Sequence, residues 1–158
     1  MTSAHASSRP HIAQLNIARM RAPLDDPTMV GFTGRLDEIN ALADRSPGFV
    51  WRLQTEDGDA TALRIFDDPD LIINLSVWES VLALREFVYS STHRELILGR
   101  RDWFEALDGP HLALWPVPQG HIPTIEEARQ KLDKLRETGP DTTVFSFASV
   151  PPDLTALD

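Results

Sequence analysis

Leu71-Ile-Ile-Asn74-Leu-Ser76-Val-Trp78-Glu79-Ser80, running on through Val81-Leu-Ala-Leu-Arg-Glu-Phe-Val88 to His93, is the stretch around which the chain is organised. Its first part alternates, with Leu71, Ile73, Leu75 and Val77 on one side and Ile72, Asn74, Ser76 and Trp78 on the other, which is the period of a strand. Ser80 then stands where a helix cap is needed, and Val81, Leu84, Phe87 and Val88 share one helical face. A strand that passes into a helix within one or two residues is a scaffold joint. Its polar side, Asn74 and Ser76 flanked by Trp78, is a candidate pocket floor.

Outward from this joint the same periods recur. Between Ile12 and Met20, Ala13, Leu15 and Ile17 alternate with Gln14, Asn16 and Ala18, giving a first strand. Asp26-Pro27 is an N-cap followed by proline at the first helical position, and Met29, Phe32, Leu36, Ile39 and Ala43 form a stripe that Ser46-Pro47-Gly48 stops. Phe49 to Gln54 predicts a second strand, with Phe49, Trp51 and Leu53 opposite Val50, Arg52 and Gln54. A turn at Glu56 to Asp59 opens a long connection to Pro69.

Beyond the joint, Thr92-His93-Arg94-Glu95 has capping-box spacing, and helix is expected to continue through Asp102 to Leu107 before Asp108-Gly109-Pro110. His111 to Val117 predicts a fourth strand. Thr124-Ile125-Glu126-Glu127 is a second capping box, opening a helix that buries Ile125, Ala128, Leu132 and Leu135 and stops at Gly139-Pro140. Thr143 to Ala148 reads as a last short strand. The order βαββαβ, followed by an extra C-terminal helix and strand, is a ferredoxin-like α+β fold: one antiparallel sheet with helices on one face. A single domain is expected over residues 11–148, between a leader (1–10) and a tail (149–158). The uncovered, half-apolar sheet face asks for a second copy, sheet against sheet, so a homodimer is expected.

Composition narrows the partners. With 158 residues, 42% of them hydrophobic, there is material for one core. A net charge of −9 argues against nucleic acid and anionic membrane surfaces. The lack of cysteine excludes disulfides, thiolate metal sites and a cysteine nucleophile. No apolar run approaches the ~20 residues of a membrane span, and Met1 to Pro10 lacks the basic start and apolar core of a signal peptide, so a cytoplasmic protein is expected.

Asn74-Leu-Ser-Val-Trp78-Glu79-Ser80 with Ala83-Leu84, Phe87, Ser90 and His93 resembles the dimeric α+β barrel superfamily, in which a strand ending in Trp-Glu-Ser runs into such a helix. With Ala13 to Ala18, Gly109 to Trp115 and Gly120 to Thr124, the chain from Pro10 to Phe147 resembles a domain-of-unknown-function family there, related to antibiotic-biosynthesis monooxygenases. The resemblance implies the dimeric α+β barrel fold. It also implies candidate roles, because cofactor-free monooxygenases of this group use an asparagine on the first strand and a tryptophan near the second helix. Asn16 and Trp78 match those places. In the haem-degrading branch a helix-two histidine binds iron; that position falls near Ile97, with His93 one turn earlier, so haem is disfavoured and no cofactor is expected.

The residues themselves suggest a constellation. Asn16, Arg52, Asn74, Ser76 and Trp78 fall on one face if no bulge shifts the phase, making a polar floor under apolar helices. Asn16 would polarise a substrate oxygen, or else be a buried amide serving the backbone. Arg52 would hold a carboxylate or enolate, or else form an ion pair. His93 is the natural acid or base, with a plain helix-start residue as the alternative. Trp103 and Trp115 would wall the pocket for an aromatic ligand, against ordinary core packing. Arg94, Arg100 and Arg101 would steer an anion, or pair with Glu95 and Asp102. His111 and His121 lack a third ligand at metal-site spacing, so no metal is expected. The expected function is small-molecule binding with cofactor-independent monooxygenation of an aromatic or polyketide-like substrate. The alternatives are a cyclase or dehydratase, or a non-catalytic ligand-binding or stress protein.

Overall fold

The computed structural model describes residues 9–22, 26–53, 71–89, 103–105 and 110–155. Strand β1 (His11–Met20) is followed by a 3-10 turn (Pro27–Met29) that leads into helix α1 (Val30–Asp44). Then come β2 (Phe49–Arg52), β3 (Leu71–Trp78), α2 (Val81–Val88), β4 (Phe104–Glu105), β5 (Leu112–Val117) and α3 (Ile125–Thr138). A 3-10 turn (Phe147–Ser149) and a short helix, α4 (Pro152–Thr155), complete the described chain. Among the described residues, no helix is long and apolar enough to cross a membrane.

The caps form where the side chains predict them. The Asp26 carboxylate accepts from Thr28 N at 2.9 Å, Ser80 Oγ accepts from Ala83 N at 3.0 Å, and Thr124 Oγ1 accepts from Glu127 N at 3.0 Å. Gly139, at φ 80°, ends α3. Gly48, at φ 82°, turns the chain into β2; its carbonyl accepts from Glu79 N at 2.7 Å, and an added Cβ would overlap that of Ala83.

The sheet is antiparallel, in the order β2-β3-β1, with both β4 and β5 on the far side of β1. Arg19 and Met20 pair with Glu105 and Phe104, while His11 to Asn16 pair with Val117 to Leu112. β4 and β5 thus lie end to end along one edge and together fill the place of the fourth ferredoxin-like strand. This corrects the helix expected through Phe104 and Glu105: the free edge of β1 recruits their backbone, and Arg21 N also donates to Trp103 O at 2.8 Å. The terminal strand expected at Thr143 to Ala148 shrinks to a bridge in which Leu114 and Phe145 exchange both backbone bonds at 2.8 Å. Beyond it, Ser146 and Ser149 cap each other and turn the chain away.

Alternation sorts the side chains into two faces. Even-numbered residues of β1 and β3 meet α1 and α2. Ile12, Trp78, Val81, Leu84, Leu114 and Phe145 form a cluster at one end of this face, and Met20, Met29, Phe32 and Ile72 form another at the other end. β2 carries a bulge between Phe49 and Trp51, which puts Phe49 beside Trp78 on the even face and Trp51 beside Val77 on the odd one. The expectation that Phe49 and Trp51 share a face fails for that reason.

The odd face is covered within the chain. Ala13, Leu15, Ile17, Ile73, Leu75, Val77, Ala113, Trp115 and Val117 are each at most 4% exposed, in one cluster with Ala128, Leu132 and Leu135 of α3. Helices α1 and α2 share one face as expected, and the extra helix takes the other. The physical ground for a sheet-against-sheet partner, an uncovered apolar face, is therefore removed.

Candidate functional site

β1 and β3 are the inner strands, and their register sets the even face as facing pairs: Ile12 with Trp78, Gln14 with Ser76, Asn16 with Asn74, Ala18 with Ile72. Apolar pairs occupy the ends and polar pairs the middle. Gln14 and Ser76 are 6% and 5% exposed, whereas Asn16 and Asn74 are open to solvent. The two exposed amides thus lie at the centre of the inner strands, between the two apolar clusters of the face that carries α1 and α2. A polar patch flanked by apolar clusters has the composition that a small-molecule site needs.

The floor is tied together by a short network. Gln14 Nε2 donates to Asn74 Oδ1 at 2.6 Å and to Ser76 Oγ at 2.9 Å, with the backbone carbonyl of Asn74 at 3.4 Å. Trp78 Nε1 donates to the same Ser76 Oγ at 2.9 Å. Gln14 was not singled out by sequence reasoning. The signal was present in the polar pair Gln14 and Asn16 at a spacing of two, matched by Asn74 and Ser76 on the facing strand.

The structure brings Asn16, Asn74, Ser76, Trp78 and Arg52 to one face, Arg52 standing opposite Ser76. Trp78 is a wall rather than a hand held out to a ligand. It is 1% exposed, stacks on Phe87 at 5.1 Å and 26°, meets Phe49 edge-on at 5.4 Å, and spends its N–H on Ser76. Arg52 Nε lies 2.7 Å from Asp44 Oδ1 and its terminal nitrogen 3.2 Å from Oδ2, a paired contact to the end of α1. Trp103 packs at the far end of the even face, 5.9 Å from Phe32 and directly over Gly31.

Trp115 is not part of this site. Its odd number places it under α3, where Nε1 donates to Glu127 Oε2 at 2.9 Å, and His121 Nε2 lies 2.8 Å from Glu127 Oε1. Burial pushes the Glu127 carboxyl up, but the bonds from His121 and Trp115 outweigh it and hold the pKa below its ordinary value. His93, Arg94, Arg100 and Arg101 lie outside the described residues. An open cleft of about 410 Å³, lined by Arg9, Pro10, Pro116, Val117, Pro118 and Gln119, is remote from the Asn16–Asn74 floor. At its rim Gln119 Nε2 donates to the backbone carbonyl of Arg9 at 2.8 Å.

A family model described as a domain of unknown function, DUF3291, matches residues 11–156. No curated protein matches the sequence. Among solved structures, a mutant of SnoaB, a cofactor-independent oxygenase from Streptomyces nogalater, aligns with TM-score 0.50 and 16% identity over 73% of this chain and 99% of its own. A conserved protein from Methanosarcina mazei Go1 aligns at 0.49 and 11%, over 72% and 98%. A protein of unknown function from Nitrosomonas europaea aligns at 0.49 and 8%, over 75% and 99%.

Proposed function

The chain belongs to the DUF3291 family, a domain of unknown function with the subunit fold of the dimeric α+β barrel proteins, and we propose that its even sheet face binds a small aromatic ligand and oxygenates it without a cofactor. One observation carries this: the facing amides Asn16 and Asn74, exposed at the centre of the inner strands between two aromatic-rich clusters. Amide donors can hold a phenolic or enolic oxygen, and the clusters supply flat apolar ends for a planar ring. The description of SnoaB as a cofactor-independent oxygenase supports the choice of chemistry.

In the proposed reaction a base, His93, removes a proton from an activated CH2 or phenol. Asn16 and Asn74 hold the resulting anionic oxygen, with Trp78 as the wall behind Ser76. The substrate is the reductant: its activated carbon forms a C–O bond to dioxygen, and loss of water from the hydroperoxide turns CH2 into C=O.

The test is oxygen uptake with 1,8-dihydroxyanthrone. Uptake that vanishes in Asn16→Ala and His93→Ala supports the proposal. Turnover unchanged under argon selects proton-transfer chemistry, and binding without turnover selects a ligand-binding protein.

A further inference from the structure

We propose that Gln14 is the positioning residue that decides which edge of the Asn74 amide faces the site, so that the floor selects ligands presenting a hydrogen-bond-accepting oxygen. This rests on the pocket reading above and adds a polarity to it. Gln14 and Ser76 are buried, so their bonds do not exchange freely with water.

The direction of each bond follows from groups that have no choice. An indole N–H only donates, so Ser76 Oγ accepts from Trp78. A backbone carbonyl only accepts, and that of Asn74 lies 3.4 Å from Gln14 Nε2, so the edge of Gln14 facing β3 is its NH2. That NH2 lies 2.6 Å from the side chain of Asn74, which must therefore turn its oxygen inward. The NH2 of Asn74 is left on the exposed side, directly opposite Asn16. Arg52, on the same face, is matched to Asp44. Asn74 thus offers a neutral donor, suited to a carbonyl or phenolate oxygen rather than to an N–H.

Two planar isosteres read this polarity: 9-fluorenone, whose C=O accepts, and carbazole, whose N–H donates. By titration calorimetry the wild type is expected to bind fluorenone about tenfold tighter, the effect of one well-placed hydrogen bond. In Gln14→Glu the carboxylate only accepts, so Asn74 must turn its NH2 inward and show its oxygen, and the preference reverses. In Gln14→Leu nothing orients Asn74 and the preference disappears; Asn74→Asp, which keeps Gln14 but has no NH2 to show, also loses it. These two substitutions carry the test if Gln14→Glu does not fold. Equal binding by the wild type, a carbazole preference, or a wild-type ratio retained in both folded Gln14 variants overturns the inference while leaving a pocket. The side-chain amide NMR signals of Asn74, assigned by their loss in Asn74→Asp, report without any ligand. If neither probe binds, the pocket reading falls; signals that still move in Gln14→Glu uphold the orienting role, and signals that stay put overturn it.

Discussion

Asn16 and Asn74 stand opposite each other on the two inner strands, and both are exposed beneath the face that carries α1 and α2. The adjacent pairs Gln14–Ser76, Leu15–Leu75 and Ile17–Ile73 are buried, so this exposure is not that of a sheet edge. Replacing Asn16 by alanine should leave stability within about 0.5 kcal/mol, as for surface changes without special features, whereas Asn74→Ala removes an acceptor of the buried Gln14 amide and should cost about 1 kcal/mol. Oxygen uptake with 1,8-dihydroxyanthrone should fall by ~10²–10³-fold, the usual effect of losing a donor to a developing oxyanion. Paired thermal melts and electrode traces check both halves.

Trp78 and Ser76 should behave in the opposite way. Trp78 stacks on Phe87 and meets Phe49 edge-on, so Trp78→Ala should cost about 3–5 kcal/mol. Ser76→Ala strands the donors of Trp78 and Gln14 and should cost about 1–3 kcal/mol. Urea unfolding measures both.

Leu132 is fully buried against the odd face. Leu132→Ala should cost about 2–5 kcal/mol. Leu132→Asp, which puts a charge against that face, should loosen α3 and raise binding of an apolar dye. Unchanged stability in both would contradict the role of α3 as the cover of the sheet.

Glu127 and Asp141 should set the acid limb of stability. Glu127 is held below its ordinary value of 4.5 by His121 and Trp115 against the effect of burial. Asp141 is held well below the usual carboxylate range, first by the hydroxyl of Thr143 and then by its backbone N–H. A depressed folded pKa stabilises above the unfolded value and loses that contribution as pH falls through the folded one. Glu127→Gln and Asp141→Asn should therefore flatten the fall in urea midpoint below pH 4.5, with little change in slope at neutral pH.

Gly48 combines a positive φ with contact against α2. Gly48→Ala forces both a strained backbone and an overlap with Ala83, and should cost more than ~1 kcal/mol, with Ala83→Gly in the same chain recovering part of it. Melting the single and double variants tests the coupling.

Much of the scaffold is legible in the residues because it rests on local chemistry. Asp26, Ser80 and Thr124 cap the elements they precede, and the stripe Val81, Leu84, Phe87, Val88 enters a single cluster. Alternation also assigns Asn16, Asn74, Ser76 and Trp78 to one face. It assigns Trp115 to the other, yet an aromatic side chain reads alike as pocket wall or core, and here it is core. Gln14 is not legible as a site residue, because a lone glutamine in a strand says nothing about its partners. Its role exists only once β1 and β3 are in register.

By itself, then, the sequence determined the strand and helix periods, the caps, the ferredoxin-like order and the facing polar residues, all of which follow from neighbours within one turn or one alternation. Tertiary structure alone decided that β4 pairs with the end of β1, that the bulge moves Phe49 to the even face, and that α3 covers the odd face. It also decided which of the polar residues are buried and which open. Those outcomes depend on which surfaces meet across tens of residues, where backbone pairing and apolar burial override the local preference of a segment such as Phe104–Glu105.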